Sequence, residues 1–420
     1  MSNSIAKHNY LPSHSMSVTE PGLKSFLMAS CLTLPLVTKI FFPSSLEYSL
    51  TLQMFGIPVF LPNLLLFVFL AKSQKNHGNK RLKTIFWLQF FFMLVGFVYN
   101  RYSEKPMALL LAGNYYYYII MLGLYCRIKL QERYWVCRIL TFTLLFLGIQ
   151  VVLLGLGIIK GLGNIVVAES SQEFEDFFRV ATTAGPSTCT AVHLYMLTVI
   201  CVMLSDSAKW RYFLVAFGLS TTVLTISRGG STTFIMYLIL WFYFKMKERR
   251  NTKKIKVIFG VLTSLILLYA VGVFNPILKR VEIKAQNETQ FESREDRAQE
   301  ALFFYQRSDS KFLGIGIANL YRSSEIQRMG YGNVIAPHNS YVQTLCEQGV
   351  IGLVLMLLFW IVFVVINRSN KAIFISIIPL LLVSWNTESS IVVLSDFIVS
   401  LSIFMMLALD RARQTQLNTM

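Results

Sequence analysis

Three short stretches of the sequence hold side chains suited to chemistry. Arg228 follows the apolar run Tyr212–Ser227 and precedes Gly229, Gly230 and a second apolar block that begins at Ser231. An arginine between two such blocks is costly if it faces lipid, so it belongs in a cavity or at the water interface. The two glycines remove side chains beside it and would let a bulky anion approach the backbone. A guanidinium fork there suits a diphosphate, whose oxygens it can hold side by side; a snorkelling interfacial arginine in a tight turn is the alternative. Arg179, in Phe178-Arg179-Val180-Ala181-Thr182-Thr183-Ala184-Gly185-Pro186-Ser187, is a second candidate cation, or else a partner for Glu175 or Asp176. His338, in Pro337-His338-Asn339-Ser340-Tyr341, is the third. Its imidazole could take a proton from an attacking hydroxyl, with Pro337 and Asn339 fixing the turn around it; a structural histidine is the alternative. His193 reads as a hydrogen-bonded interior residue, and Asp396 as a charge in an apolar run with no assignable purpose.

Other chemistries find little support. The sequence has no GxxxxGK[ST], HExxH or GxSxG stretch, and Gly314-Ile315-Gly316 is too little for a dinucleotide site. No Asp, Glu and His residues share metal-ligand spacing, so neither a metal nor another cofactor is expected. The six cysteines form no CxxC pair and mostly lie in or beside apolar blocks, which fits small buried side chains.

The elements that must position these residues are membrane spans. Of the 420 residues 54% are hydrophobic and only 15% charged, against roughly 25% charged in a soluble domain. The apolar residues form long unbroken blocks, with the charges confined to the gaps. The net charge of +17 sits in those gaps as short Lys/Arg clusters, with no soluble basic domain to hold a nucleic acid. In a membrane protein such clusters mark the cytoplasmic side.

This rule predicts an all-α polytopic protein of about twelve spans with both termini cytoplasmic. Residues 1–24 form a cytoplasmic tail, 25–274 hold spans one to nine, 275–348 form a large external loop, 349–409 hold spans ten to twelve, and 410–420 form a second cytoplasmic tail. The first span, Ser25–Phe42, is expected to be retained rather than cleaved, and is interrupted by Pro35 and Lys39. The second precedes the basic loop Lys72–Lys83. Thr84–Tyr99 and Met107–Cys126 follow, joined by an external turn at Asn100–Pro106. Arg127, Lys129, Arg133 and Arg138 make the next internal loop. Ile139–Ile159 leads to an acidic external segment with Glu169, Glu173, Glu175 and Asp176. Thr188–Leu204 returns to a short loop with Lys209 and Arg211. The seventh span ends outside at Arg228, and the eighth runs to the basic cluster Lys245–Lys256. Val257–Phe274 leads into the large loop, and Gly349–Ile366, Ala372–Trp385 and Ile391–Leu409 complete the set. The loop stretch Asn287–Arg307 has helix-forming composition and balanced charge, which predicts a small ordered lid on the bundle. Tyr115–Tyr118 covers every side of a helix and reads as packing or interfacial.

Two segments together resemble the Wzy_C signature of the O-antigen ligase and polymerase superfamily. One is Ser227-Arg228-Gly229-Gly230 at a span end. The other runs from Phe312-Leu313-Gly314-Ile315-Gly316 through Pro337-His338-Asn339-Ser340-Tyr341-Val342-Gln343 to Glu347-Gln348-Gly349-Val350-Ile351-Gly352-Leu353. Arg179 followed by Gly185-Pro186 resembles that superfamily's arginine-containing segment before a span, with Ser187 where an asparagine is common. Arg297 or Arg294 could fill the place of a further arginine ahead of the Leu-Gly-x-Gly stretch. The resemblance implies a metal-independent, cofactor-free glycosyltransferase of the bacterial inner membrane, active on its periplasmic face. Its donor would be a glycan on undecaprenyl diphosphate and its acceptor another glycan. Arg228, Arg179 and Arg297 would hold the diphosphate, His338 would assist deprotonation of the acceptor or bind phosphate, and Gly229, Gly230 and Asn339 would support them. A flippase and a chain-length regulator are implied partners, beside membrane lipids and the two glycans. Extension of a surface polysaccharide is the reading adopted, for an O-antigen, capsule or exopolysaccharide. Ligation of the glycan to lipid A-core is its alternative, and a lipid-linked oligosaccharide flippase is the alternative of another class.

Overall fold

A computed structural model describes residues 22–41, 51–54, 57–76, 79–98, 117–118, 120–155, 158–159, 161–162, 165–166, 180, 182–183, 187–225, 227–248, 294–307, 311–316, 320, 339–384 and 397–417. Eleven α-helices dominate these residues, beside a shorter helical stretch at 120–125 that falls in the expected fourth span. They are α1 Leu23–Phe41, α2 Leu64–Lys72, α3 Lys80–Val98, α4 Leu130–Gly155, α5 Ser187–Leu204, α6 Ala208–Leu224, α7 Arg228–Glu248, α8 Arg294–Arg307, α9 Ser340–Asn367, α10 Lys371–Pro379 and α11 Phe397–Leu417. A π-helical segment, Leu380–Ser384, continues α10 past Pro379, where the missing N–H of proline loosens the ladder. The expected span nine, Val257–Phe274, and the residues Arg179, His338 and Asp396 lie outside the described residues.

The helices follow the expected blocks, with physical differences at their ends. α1 runs through Pro35 without stopping. Arg133 and Arg138, expected in a loop, belong to α4, and Lys209 and Arg211 belong to α6, since the long basic side chains favour helix. Ser207 starts α6 by accepting a hydrogen bond from Trp210 N. The apolar stretch before Lys72, expected as the second span, is an antiparallel pair, β1 Thr51–Met54 with β2 Ile57–Phe60, then a 3-10 turn and α2. Pro58 and Pro62 fall where a continuous helix would need N–H donors, and nine residues of α2 reach only about 14 Å. Two further short pairs, β3 Gln74–Lys75 with β4 Cys126–Arg127 and β5 Gly161–Leu162 with β6 Ile165–Val166, complete the two-stranded sheets among the described residues.

Among the described residues two helices, α4 and α9, are long and apolar enough to cross a bilayer alone. The distribution of side chains points the same way. Phe91, Phe142, Ile239 and Ile361, on four different helices, are each more than half exposed, while Thr143, Thr190, His193, Gln343 and Ser376 are buried. An apolar outer surface with single polar side chains held inside is suited to lipid.

α5 is the axis of the bundle. It packs against α4, α6, α7 and α11, and every residue from Thr190 to Cys201 is buried. Close approach to α6 depends on Gly218, whose missing side chain leaves room for Thr198. α9 lies along α3, and α8 rests on the first turns of α9 through a separate small core of Ala301, Tyr305, Ile315, Leu320 and Cys346. Of the stretch expected to form a lid, residues 294–307 are described and form this helix, and 287–293 lie outside the described residues.

The contacts sort the chain into two ends. At one end β3 pairs with β4, Asn76 N donates to Tyr125 O at 2.6 Å, and Ser25 Oγ donates to Gln131 Oε1 at 3.3 Å. The buried carboxylate of Asp410 there takes hydrogen bonds from both Arg127 and Arg133. This end brings together the basic segments 72–83 and 127–138. The opposite end of α4, about 33 Å away from Arg133 at 1.5 Å per residue, carries the candidate site.

Candidate site at the non-basic end of the bundle

Arg228 is the first residue of α7, and the residues around it form a helix start. Ser227 precedes it as the cap and accepts a hydrogen bond from Gly230 N at 3.3 Å; its own N–H donates to Thr225 Oγ1 at 3.3 Å. The Thr233 hydroxyl donates to the Gly229 carbonyl at 2.7 Å. Gly230 has a packing reason: a Cβ there would overlap the Cβ of Ala191 on α5. The two glycines thus differ from the expectation that both clear space for a ligand, because Gly230 clears space for a neighbouring helix.

The segment after Arg179 is pinned beside this start. The Thr182 and Thr190 hydroxyls hydrogen-bond at 2.8 Å, and Thr183 donates to Gln150 Oε1 from its N–H at 3.3 Å and its hydroxyl at 2.9 Å. Val180 is buried; a Cβ at Gly155 would stand 3.6 Å from it and 3.9 Å from Leu224, the last residue of α6. The chain next to Arg179 therefore meets the chain that leads into Arg228.

Asn339 is the cap of α9. Its side-chain oxygen accepts from Tyr341 N at 2.9 Å and Val342 N at 3.0 Å, which satisfies two free N–H groups of the first turn. Tyr341 then donates its hydroxyl to the Leu381 carbonyl at 2.6 Å, in the π-helical segment that packs on α7. That segment links the two helix starts. Phe244, late in α7, meets Phe374, early in α10. Tyr195 joins Phe234 and Tyr237 to the Ser376 carbonyl at 2.6 Å. α7 and α10 are thus antiparallel, and Leu380–Ser384 lies toward Arg228. The starts of α5, α7 and α9 share one end of the bundle, and each contributes the partial positive charge of a helix N-terminus.

The glycine motifs have a joint explanation. Gly349 adopts φ +68° and ψ −172° and breaks α9. The broken ladder frees four backbone groups, and the Lys311–Gly316 strip takes them all. Val350 N donates to Lys311 O at 3.1 Å and Ile351 N to Phe312 O at 3.3 Å; Ile315 N donates to Cys346 O and Gly316 N to Glu347 O, both at 2.9 Å. Gly314 and Gly316 also have positive φ, and a Cβ at Gly314 would lie 2.5 Å from Glu347 C and Gly349 N. Leu-Gly-x-Gly and the glycine of α9 are two halves of one backbone clasp. The start of the strip is held by Tyr305, whose hydroxyl donates to the Lys311 carbonyl at 2.7 Å. Burial, with the nearby Cys346 thiol, pushes the Tyr305 phenol above its ordinary value and keeps it a neutral donor.

Arg294 and Arg297 occupy the first turn of α8, upstream of the part that rests on α9. Tyr117, from the tyrosine run, is buried and donates to Gln348 Oε1 at 2.9 Å, just before the break; its neighbour Tyr118 stacks on Phe67. Both serve packing. His193 bonds to the Cys189 carbonyl one turn earlier, at 2.8 Å, as an interior residue should. Sequence reading took Tyr341 only as part of the motif around His338 and passed over Gln150 and Asp410. The last follows an unbroken apolar run, and that placement is the signal for a carboxylate that needs partners.

Comparison with known proteins falls on the same part of the chain. Residues 213–357 match the Wzy_C family, described as O-antigen ligase. This stretch contains the Ser-Arg-Gly-Gly helix start, the glycine clasp and the Asn339 cap, and Arg179 lies ahead of it. No curated protein matches the chain.

Proposed function

We propose that this chain is a membrane glycosyltransferase that takes a glycan from undecaprenyl diphosphate and extends a surface polysaccharide at the outer face of the inner membrane. The observation that carries the reading is the meeting of three helix starts at the end of the bundle opposite the basic loops, two of them bearing Arg228 and the turn after His338. An anionic diphosphate is stabilised there by helix N-termini and by fixed cations in a partly dry site. In the reaction, an acceptor hydroxyl oxygen bonds to the anomeric carbon of the donor. The bond from that carbon to the diphosphate oxygen breaks, and the electron pair leaves with undecaprenyl diphosphate. Arg228, Arg179 and Arg297 neutralise the departing charge, and His338 takes the hydroxyl proton. The reading needs no metal, since the arginines supply the charge that a metal would.

A second acceptor, lipid A-core, is favoured by the family's description as O-antigen ligase; the ten residues between His338 and Gly349 resemble a ligase pattern that related polymerases share. Transport across the membrane is disfavoured by the position of the site at the bundle end, since transporters place polar sites near the midplane. Deletion of the gene, with mass spectrometry and gels of lipid-linked and surface glycans, separates these readings. A surface product of one repeat unit identifies a polymerase, and a long chain stranded on undecaprenyl diphosphate identifies a ligase. Arg228→Ala and His338→Ala, inserted at wild-type levels, are expected not to restore the product; full restoration by both would remove the assigned site.

A further inference from the structure

A shallow groove of about 500 Å³ lies on α3, lined by Lys80, Lys83, Thr84, Trp87 and Leu88. It sits at the basic end of the bundle, away from the site described above. With the exposed Phe91 one turn on, these residues follow the i, i+3, i+4, i+7 spacing of a single helix face. The face is ordered along its length: two cations, then a hydroxyl, then an indole and apolar side chains. Its polar part is held in place. Lys83 Nζ donates to the Asn76 carbonyl at 2.8 Å and sits 4.0 Å above the Tyr125 ring, while Trp87 Nε1 donates to the Tyr125 hydroxyl at 2.8 Å. Burial lowers the Lys83 ammonium below its ordinary value, so a nearby anion would favour its charged form.

We propose that this groove binds one anionic phospholipid, with the phosphate on Lys80 and Lys83 and an acyl chain along Trp87, Leu88 and Phe91. The order of groups along the face matches that of the lipid, head to tail. A soluble phosphate would use only the two lysines and leave the apolar part in water. A choline head would bring a third cation against them. Clusters of basic and aromatic side chains at a membrane–water interface are where anionic heads are held. The proposal rests on the reading of the chain as membrane-embedded and is independent of the transferase chemistry.

The test uses the full chain in nanodiscs, with tryptophan fluorescence quenched by dibrominated phosphatidylglycerol or dibrominated phosphatidylcholine. Trp87→Phe isolates the contribution of Trp87. The expected result is quenching of Trp87 by the brominated phosphatidylglycerol at about tenfold lower mole fraction than by the phosphatidylcholine. The preference should be lost in Lys80→Gln/Lys83→Gln and kept in Lys24→Gln/Lys129→Gln, which removes two exposed lysines of the same end. Equal quenching by both lipids overturns the proposal and leaves the membrane reading intact. Quenching by neither overturns both. Equal loss of preference in the two double variants assigns it to general surface charge and overturns the site.

Discussion

At the scale of the residue, Gly230 shows how one glycine can be mistaken for another's purpose. Beside Arg228 it invites a ligand, but its absent side chain is where α7 meets Ala191 of α5. Gly230→Ala should destabilise the protein by about 1–3 kcal/mol, the usual cost of an extra methyl in a packed contact. Ala191→Gly in the same chain should recover most of the loss. Thermal unfolding in detergent measures both, and failure of the second change to rescue the first would show that Gly230 serves something other than this contact. Asp410 makes the complementary point. Its carboxylate is buried and shared by Arg127 and Arg133, so two residues that the charge rule treats as orientation signals also tie the start of α4 to α11.

At the scale of the element, the break in α9 is held by the strip Lys311–Gly316, and neither is stable in this form without the other. A buried unpaired backbone group costs about 1–3 kcal/mol, and the clasp satisfies four of them. Gly349→Ala and Gly314→Ala each place a Cβ against backbone at a positive φ. Each should lower stability by more than about 3 kcal/mol. The double variant should cost far less than the sum, because both residues serve one contact. Gly22→Ala, with open space around it, is the control expected to change nothing. Proteolysis of the purified chain measures the set, and additive losses would show that the two glycines are not coupled.

At the scale of the molecule, the bundle has a basic end and an end where the starts of α5, α7 and α9 meet. Crossing α4 takes about 39 Å, enough for a bilayer core of about 30 Å. A single cysteine placed at Asn339 should react with a membrane-impermeant thiol reagent in cells whose outer membrane is permeabilised. One placed at Lys129 should react only after the inner membrane is opened. The background is the chain with its six native cysteines replaced. Reaction of both positions from the same side would refute the two-ended arrangement and, with it, the placement of the site outside.

Much was legible in the sequence because the bilayer imposes it. Long apolar blocks with charges between them specify helices, and the blocks expected at 139–159, 188–204, 212–227 and 349–366 appear as α4, α5, α6 and α9, with basic side chains carried into the starts of α4 and α6 and with residues 340–348, expected in the large loop, forming the first turns of α9. The candidate residues Arg228 and Asn339 were legible from the order of motifs along the chain. Hydropathy does not register the proline interruptions that turn the stretch before Lys72 into a strand pair and a short helix. Only the tertiary structure decided that Gly314 closes on Gly349, that Tyr341 reaches Leu381, and that Asp410 joins two arginines nearly 280 residues earlier in the chain. Those are contacts between distant segments, made by backbone groups and single polar side chains. A pattern read along one segment fixes what must be buried, but the partner that satisfies each buried polar group is chosen by how the helices pack.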